Sequence, residues 1–192
     1  IVVFHELKYF TGLAEIEPYA FDGADNLSKI TLPKSIKSIG EWAFAYCERL
    51  KELNINEGVT KIGYGAFYDC RNLKSITIPG SVEDIQVKYE EYYDDGEFDI
   101  YYANPFEDCR SLEAIYSPYA SDGRSLIMDN TLIYVASKGI NEYTIPVEVK
   151  SVANNALGSN DYNYDGVRFP KVVIPESVEY IDHYGLLAAE YH

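Results

Sequence analysis

Apolar residues recur along this chain in an order that repeats every 23 residues, the separation of Leu27 from Leu50 and of Leu50 from Leu73. Two consecutive units carry the same series of aliphatic, small and aromatic positions. The first has Leu27, Ile30, Leu32, Ile36, Ile39, Gly40, Ala43, Phe44 and Cys47, and the second has Leu50, Leu53, Ile55, Val59, Ile62, Gly63, Ala66, Phe67 and Cys70. Repetition at such a period predicts a stack of similar structural units.

The same series continues outside these two units, with additions. A third unit opens at Leu73, runs to Ile85, and resumes at Phe106 after an insertion. Two more units follow, and the end of an earlier one precedes Leu27. The matching positions are Ile16, Ala20 and Phe21 in the early unit, Ile140, Tyr143, Ile145, Val149, Val152 and Ala156 in the fourth, and Phe169, Val172, Ile174, Val178, Ile181 and Gly185 in the fifth.

Each part of the unit predicts a local structure. The opening Leu-x-x-Ile-x-Ile predicts a strand, because side chains two residues apart share one face. The Pro that follows ends the strand, since it has no N–H for the ladder. Ile-Gly marks a sharp backbone change, and the three- and four-residue steps of Ala-Phe-x-x-Cys-x-x-Leu suit one or two short helical turns. One such coil cannot bury its own apolar edge, so the coils must stack. We therefore expect an α/β solenoid, curved, with a parallel sheet on one side and helical turns and loops opposite.

The full pattern, Leu-x-x-Ile-x-Ile-Pro-x-x-Val-x-x-Ile-Gly-x-x-Ala-Phe-x-x-Cys-x-x-Leu, resembles the BspA-type leucine-rich repeat of bacterial surface and secreted proteins. The resemblance covers roughly residues 13–187 and is strongest from Leu27 to Leu73. It implies a single leucine-rich repeat domain over residues 1–192, secreted or at the cell surface, with a non-enzymatic role in adhesion or ligand capture. The later units depart from the pattern, with Asn160 and Ala189 in place of Cys, Leu157 and Leu186 in place of Phe, and Ser117 in place of an inward aliphatic residue.

The insertion at about residues 86–104 is rich in tyrosine and acids. Asp95-Gly96 lies between two aromatic, β-prone runs and predicts a hairpin. Such a surface suits contact with a protein or a sugar, although aromatic rings more often pack against their neighbours. The candidate ligand-binding residues are Tyr89, Tyr92, Tyr93, Phe98, Tyr101 and Tyr102, together with Tyr116 on the strand face.

A second insertion spans about residues 116–138 and predicts another hairpin, turning at Asp129-Asn130. We expect this hairpin to be architectural, because loops inserted in repeats mostly pack on the neighbouring coils. The remaining candidate surface is the outward face of the stacked strands, where polar and small residues predominate. Its predicted positions are Lys29, Thr31, Glu52, Asn54, Ser75, Thr77, Ala114, Tyr116, Glu142, Thr144, Lys171 and Val173.

The three cysteines occupy equivalent positions in successive coils, so Cys47, Cys70 and Cys109 are expected to form a column of buried thiols. A Cys47–Cys70 disulfide is the alternative and leaves Cys109 unpaired. A metal site is less favoured, because no Cys-x-x-Cys pair or nearby histidine completes a ligand set. Buried thiols also exclude a Cys–His nucleophile pair, and we expect neither an enzyme nor a cofactor.

A weak calcium candidate lies in the loop that contains Asp161, Asn163 and Asp165, followed by Gly166. These residues match the first half of a calcium-binding loop, but Val172 stands where a bidentate Glu should close the site. An ordinary polar loop is the favoured interpretation.

The negative net charge of the chain disfavours nucleic acids and anionic membranes as partners. The formal net charge of −15 repels phosphate backbones and anionic membrane surfaces, and no apolar run is long enough to cross a bilayer. The chain begins without Met and ends abruptly, as expected of a fragment or a mature form of a longer protein. We therefore predict a binding module for a protein or glycan ligand, with host matrix proteins among the candidates. A structural spacer that presents another domain is the alternative.

Overall fold

Short strands, joined by turns, make up most of the regular structure in the computed structural model, which describes residues 2–87, 89–92, 98–101, 103–157, 171–182 and 184–186. A single-turn 3-10 helix, Glu6–Tyr9, follows the first strand. The strands are, in chain order, β1 (Val2–Phe4), β2 (Glu15–Ile16), β3 (Leu27–Ile30), β4 (Ser38–Ile39), β5 (Glu52–Asn54), β6 (Lys61–Ile62), β7 (Ser75–Thr77), β8 (Asp84–Ile85), β9 (Tyr89–Tyr92), β10 (Phe98–Tyr101), β11 (Ala114–Tyr116), β12 (Ser125–Met128), β13 (Thr131–Val135), β14 (Glu142–Thr144), β15 (Ser151–Val152), β16 (Lys171–Val173) and β17 (Tyr180–Ile181).

Two parallel ladders run along the stack of coils, one for each strand of the repeat. The Leu-x-x-Ile-x-Ile strands form the first ladder, in which β5, β7 and β11 pair in parallel and β1–β3 and β14–β16 pair likewise. The second ladder contains β2–β4–β6–β8 and β13–β15–β17. Residues one repeat apart are partners, as with Leu53 and Ile76. The predicted parallel sheet is therefore confirmed.

The third side of each coil differs from the expected helical turns. Its amides alternate between two partners: the Ala45 N–H donates to Trp42 O in its own coil, whereas the Phe44 N–H donates to Ala66 O in the next coil. Trp42 and Tyr46 have φ values of +53° and +56°, a conformation that interrupts a right-handed helix. This side is a series of tight turns that form a third set of hydrogen bonds between coils.

A column of aromatic rings fills the centre of the stack. Phe21, Phe44, Phe67 and Phe106 have ring centroids 5.1, 5.8 and 5.6 Å apart, all three pairs stacked. Tyr134 continues the column at 5.5 Å from Phe106. Because Phe106 stacks directly on Phe67, the first insertion leaves the core uninterrupted.

Both insertions contain the expected antiparallel hairpins. In the first, β9 pairs with β10, with Tyr92 opposite Phe98; Asp95-Gly96 lies outside the described residues. In the second, β12 pairs with β13, and Asp129 and Asn130 have φ values of +48° and +61°. Two successive residues at positive φ form a two-residue turn whose twist matches that of the two strands it joins. β13 also pairs in parallel with β15, so this hairpin supplies a strand to the second ladder and is architectural.

Candidate functional site

The outward face of the first ladder is a row of aligned side chains. The register places Asn54 beside Thr77 and Thr77 beside Tyr116, and the Thr77 hydroxyl donates to Asn54 Oδ1 at 2.9 Å. Tyr116 is 59% exposed. On β14 and β16, Lys171 forms an ion pair with Glu142. The predicted outward positions are thus mostly polar and point away from the core, with Tyr116 as the large exposed aromatic group.

The Tyr-rich hairpin consists of β9 and β10, which pair in an antiparallel ladder. The ladder places Tyr89 opposite Tyr101 and Tyr92 opposite Phe98, so four of the predicted aromatic positions are neighbours across one pair of strands. Two further candidates, Tyr93 and Tyr102, lie outside the described residues. The hairpin is inserted between β8 and β11, and β11 is the strand that carries Tyr116.

A second aromatic cluster, on the turn side of the coils, is absent from the sequence-based candidates. The Trp42 ring lies 5.8 Å from that of Tyr64 and 5.1 Å from that of Tyr68, and Tyr46 lies 5.4 Å from Tyr68. Tyr46 is 43% exposed, and Tyr19, one repeat before Trp42, is 56% exposed. The signal that could have found the cluster is the repeat itself, because Tyr19 and Trp42 occupy equivalent positions.

Burial and nearby carboxylates raise the pKa values of two phenols in this cluster. The Tyr64 hydroxyl donates to Glu41 Oε2 at 3.0 Å, and burial together with this hydrogen bond raises the pKa of Tyr64 well above its usual value. Burial and the nearby carboxylate of Asp69 also raise the pKa of Tyr46. These phenols remain neutral hydrogen-bond donors at physiological pH.

The three thiols form the predicted buried column. Each donates to a phenylalanine carbonyl one coil earlier, with Cys47 to Phe21, Cys70 to Phe44 and Cys109 to Phe67, all at 3.2 Å. All three cysteines are free, so the Cys47–Cys70 disulfide considered from the sequence does not form. Burial raises the pKa of Cys47 to about 12 and those of Cys70 and Cys109 well above the usual value. Neutral thiols are poor nucleophiles.

The loop with the calcium candidates Asp161, Asn163 and Asp165 lies outside the described residues, so calcium binding there remains a prediction. Within the part of the chain that the structure describes, no three His, Cys, Asp or Glu side chains cluster as metal ligands. Among the same residues, no helix has the length and apolar character of a membrane span.

Similar proteins agree with this architecture. No curated protein matches the sequence. The solved structures that match include a leucine-rich repeat protein from Eubacterium ventriosum (21% identity, TM-score 0.53, 89% of this chain and 48% of that one). They also include a leucine rich cell surface protein from Faecalibacterium prausnitzii (24%, 0.52, 88% and 47%) and the pneumococcal vaccine antigen PcpA (21%, 0.57, 89% and 45%).

These likenesses establish the leucine-rich repeat fold, and the chain spans about half the length of the structures it matches. In the sequence, residues 4–93, just under half of the chain, match the BspA type leucine rich repeat region in six copies. This part of the chain is therefore a BspA-type leucine-rich repeat region.

Proposed function

We propose that this chain is a non-enzymatic recognition module of a bacterial secreted or cell-surface protein. It binds a protein or glycan ligand through the outward face of the first ladder and the Tyr-rich hairpin. The observation that carries the proposal is the position of Tyr116, exposed at the end of the polar strand face and on the strand that follows the hairpin. A rigid polar face with an exposed aromatic residue offers a preformed surface, and the inserted aromatic segment adds residue types favoured in recognition.

Support for a location outside the cell comes from proteins of similar structure. The matching Faecalibacterium prausnitzii structure is a cell surface protein, and PcpA is a vaccine antigen. Host matrix proteins are therefore among the ligands to test. The non-enzymatic part of the proposal has support from the buried thiols, whose raised pKa values keep them protonated.

The experiment is binding of the 192-residue chain to an array of matrix proteins and glycans, with and without calcium. The hairpin variant carries Tyr92→Ser, Tyr93→Ser, Tyr101→Ser and Tyr102→Ser, and a separate variant carries Tyr116→Ala. The control variant carries Tyr9→Ser and Tyr180→Ser, two exposed tyrosines away from the strand face and the hairpin. We expect a saturable ligand whose affinity falls at least about tenfold in the hairpin variant and in Tyr116→Ala, with the control unchanged.

Each other outcome removes a defined part of the proposal. Binding that persists in the hairpin variant shows that the hairpin is not part of the site. Binding that requires calcium would favour a calcium site in the loop of Asp161, Asn163 and Asp165 as part of the binding surface. If the array gives no ligand, the recognition proposal fails and the spacer alternative replaces it.

A further inference from the structure

An open cavity of about 580 Å³ lies across four adjacent coils, beside the beginning of the first-ladder strands, and the apolar Val3 lines it from β1. Ser28 and Lys29 line it from β3, Glu52 lines it from β5, and Arg49 and Lys51 line it from the segment just before β5. Asn72 lines it from the following coil, at the position equivalent to Arg49. Its volume is in the range of small-ligand sites. The repeat therefore brings polar groups of three coils around one cavity.

The charge in this cavity opposes that of the whole chain. Three of its lining residues are cationic and one, Glu52, is acidic, whereas the chain has a formal net charge of −15. Two other arginines, by contrast, are neutralised: Arg71 pairs with Asp69 at 2.7 Å and Arg110 with Asp108 at 3.2 Å. In the described part of the chain, no carboxylate lies within ion-pair distance of the three cations of the cavity.

The stacking of coils also places like charges side by side. The Lys74 N–H donates to Lys51 O at 2.8 Å, so these two lysines occupy equivalent positions in adjacent coils. Like charges directly opposite each other in a sheet are destabilising. An anion bound beside them would offset that cost. Asn72 is held in place at the same corner, because its amide donates to Glu48 O at 2.6 Å.

We propose that this cavity binds a sugar that carries a carboxylate or a sulfate group. Arg49 takes the anionic group with its planar guanidinium, and Lys29 and Lys51 add positive charge beside it. Ser28, Glu52 and Asn72 supply the hydroxyl, carboxylate and amide groups that hydrogen-bond to sugar hydroxyls. A volume in the range of small-ligand sites is large enough for a sugar unit. This inference rests on the proposed binding function and names a ligand class at a site separate from the hairpin.

The test compares four probes by isothermal titration calorimetry: an oligogalacturonate, a sulfated oligosaccharide of the same length, its desulfated counterpart, and an oligoglutamate peptide. The cavity variant carries Arg49→Gln and Lys51→Gln. The control variant carries Lys37→Gln and Lys61→Gln, which removes the same charge from exposed residues along the second ladder. All four residues are exposed, so circular dichroism should show both variants folded.

We expect at least one of the two anionic sugars to bind. Comparison of the oligogalacturonate with the sulfated oligosaccharide then shows whether the cavity recognises a carboxylate or a sulfate. Loss of charged hydrogen bonds should weaken that binding by about tenfold or more in the cavity variant, with less than about a twofold change in the control. The affinity should also fall as salt increases.

Three results overturn the inference. Binding by neither anionic sugar, or equal weakening in both variants, shows that the cavity is not an anion site. Tighter binding of the oligoglutamate peptide removes the sugar assignment. The proposed function is tested independently, because its array ligand should still bind the cavity variant, and the hairpin variant should still bind the anionic sugar.

Discussion

At the scale of single residues, the glycine of each Ile-Gly pair shows how closely the coils approach. The sequence suggested a sharp backbone change at these positions, but the structure gives a different reason for glycine. A Cβ on Gly40 would lie 2.5 Å from Pro18 N, and one on Gly63 would lie 2.6 Å from Glu41 N, both in the backbone of the preceding coil. Only a residue without a side chain lets the two backbones pack at this distance.

We therefore predict that Gly63→Ala lowers the free energy of unfolding by about 1–3 kcal/mol, the usual effect of forcing an extra methyl group into a packed site. The matched control is Gly12→Ala, because a Cβ there meets nothing within 4 Å; its effect should stay below about 0.5 kcal/mol. Urea unfolding followed by circular dichroism measures both. Equal stabilities of the two variants would show that the coils separate at little cost.

Among single residues, the cysteine column could be predicted from the sequence, whereas the turn-side aromatic cluster could not. Cys47, Cys70 and Cys109 could be placed in one buried column because spacing alone fixes equivalent positions in stacked coils. The turn-side aromatic cluster was missed because Trp42 and Tyr46 adopt positive φ, which bulky residues rarely do. The three- and four-residue steps of Ala-Phe-x-x-Cys-x-x-Leu indicated helical turns instead. Contacts with the adjacent coil, which local sequence does not report, stabilise the observed backbone.

At the scale of elements, the aromatic column is a continuous contact through successive coils. Phe67 is fully buried and stacks on Phe44 on one side and on Phe106 on the other. Its removal leaves a cavity that both neighbours line, and the hydrogen bonds between coils limit any collapse into it.

Phe67→Ala should therefore lower the free energy of unfolding by about 3–5 kcal/mol. Phe10→Ala provides the control, since Phe10 is largely exposed and its loss should cost less than about 0.5 kcal/mol. Chemical denaturation of both variants gives the comparison. A loss of under about 1 kcal/mol for Phe67→Ala would mean that the neighbouring coils can close around the missing ring.

The two hairpins show a second limit of sequence reasoning at this scale. The turn at Asp129-Asn130 could be predicted because its residues tolerate positive φ. The parallel pairing of β13 with β15, which sets Leu132 beside Val152, could not be, since it depends on how whole coils stack. The position of Tyr116 on the strand face followed from the repeat. The cationic cavity was not predicted, because the repeat indicates which residues are neighbours but not how much space their side chains leave between them.

At the scale of the whole molecule, a stack of coils has stability that varies along its axis. Each coil contacts chiefly its neighbours, so burial of equivalent residues reports how well each coil is covered. Ile62 in β6 is fully buried, whereas Ile181, its equivalent in β17, is 40% exposed. The coil that contains β17 therefore has less apolar surface buried per residue and should open at a lower free energy than the coils around Phe67.

Hydrogen exchange measures this gradient directly. We expect amides in and next to β6, such as that of Gly63, which donates to Ile39 O, to exchange the most slowly. The amide of Asp182, which donates to Val152 O, should exchange at least about tenfold faster. In Phe67→Ala, exchange should accelerate in the coils on either side of the missing ring and change little near β17, because coupling between coils is mainly nearest-neighbour. Uniform protection along the chain, or uniform acceleration in the variant, would instead show that the coils unfold as one cooperative unit.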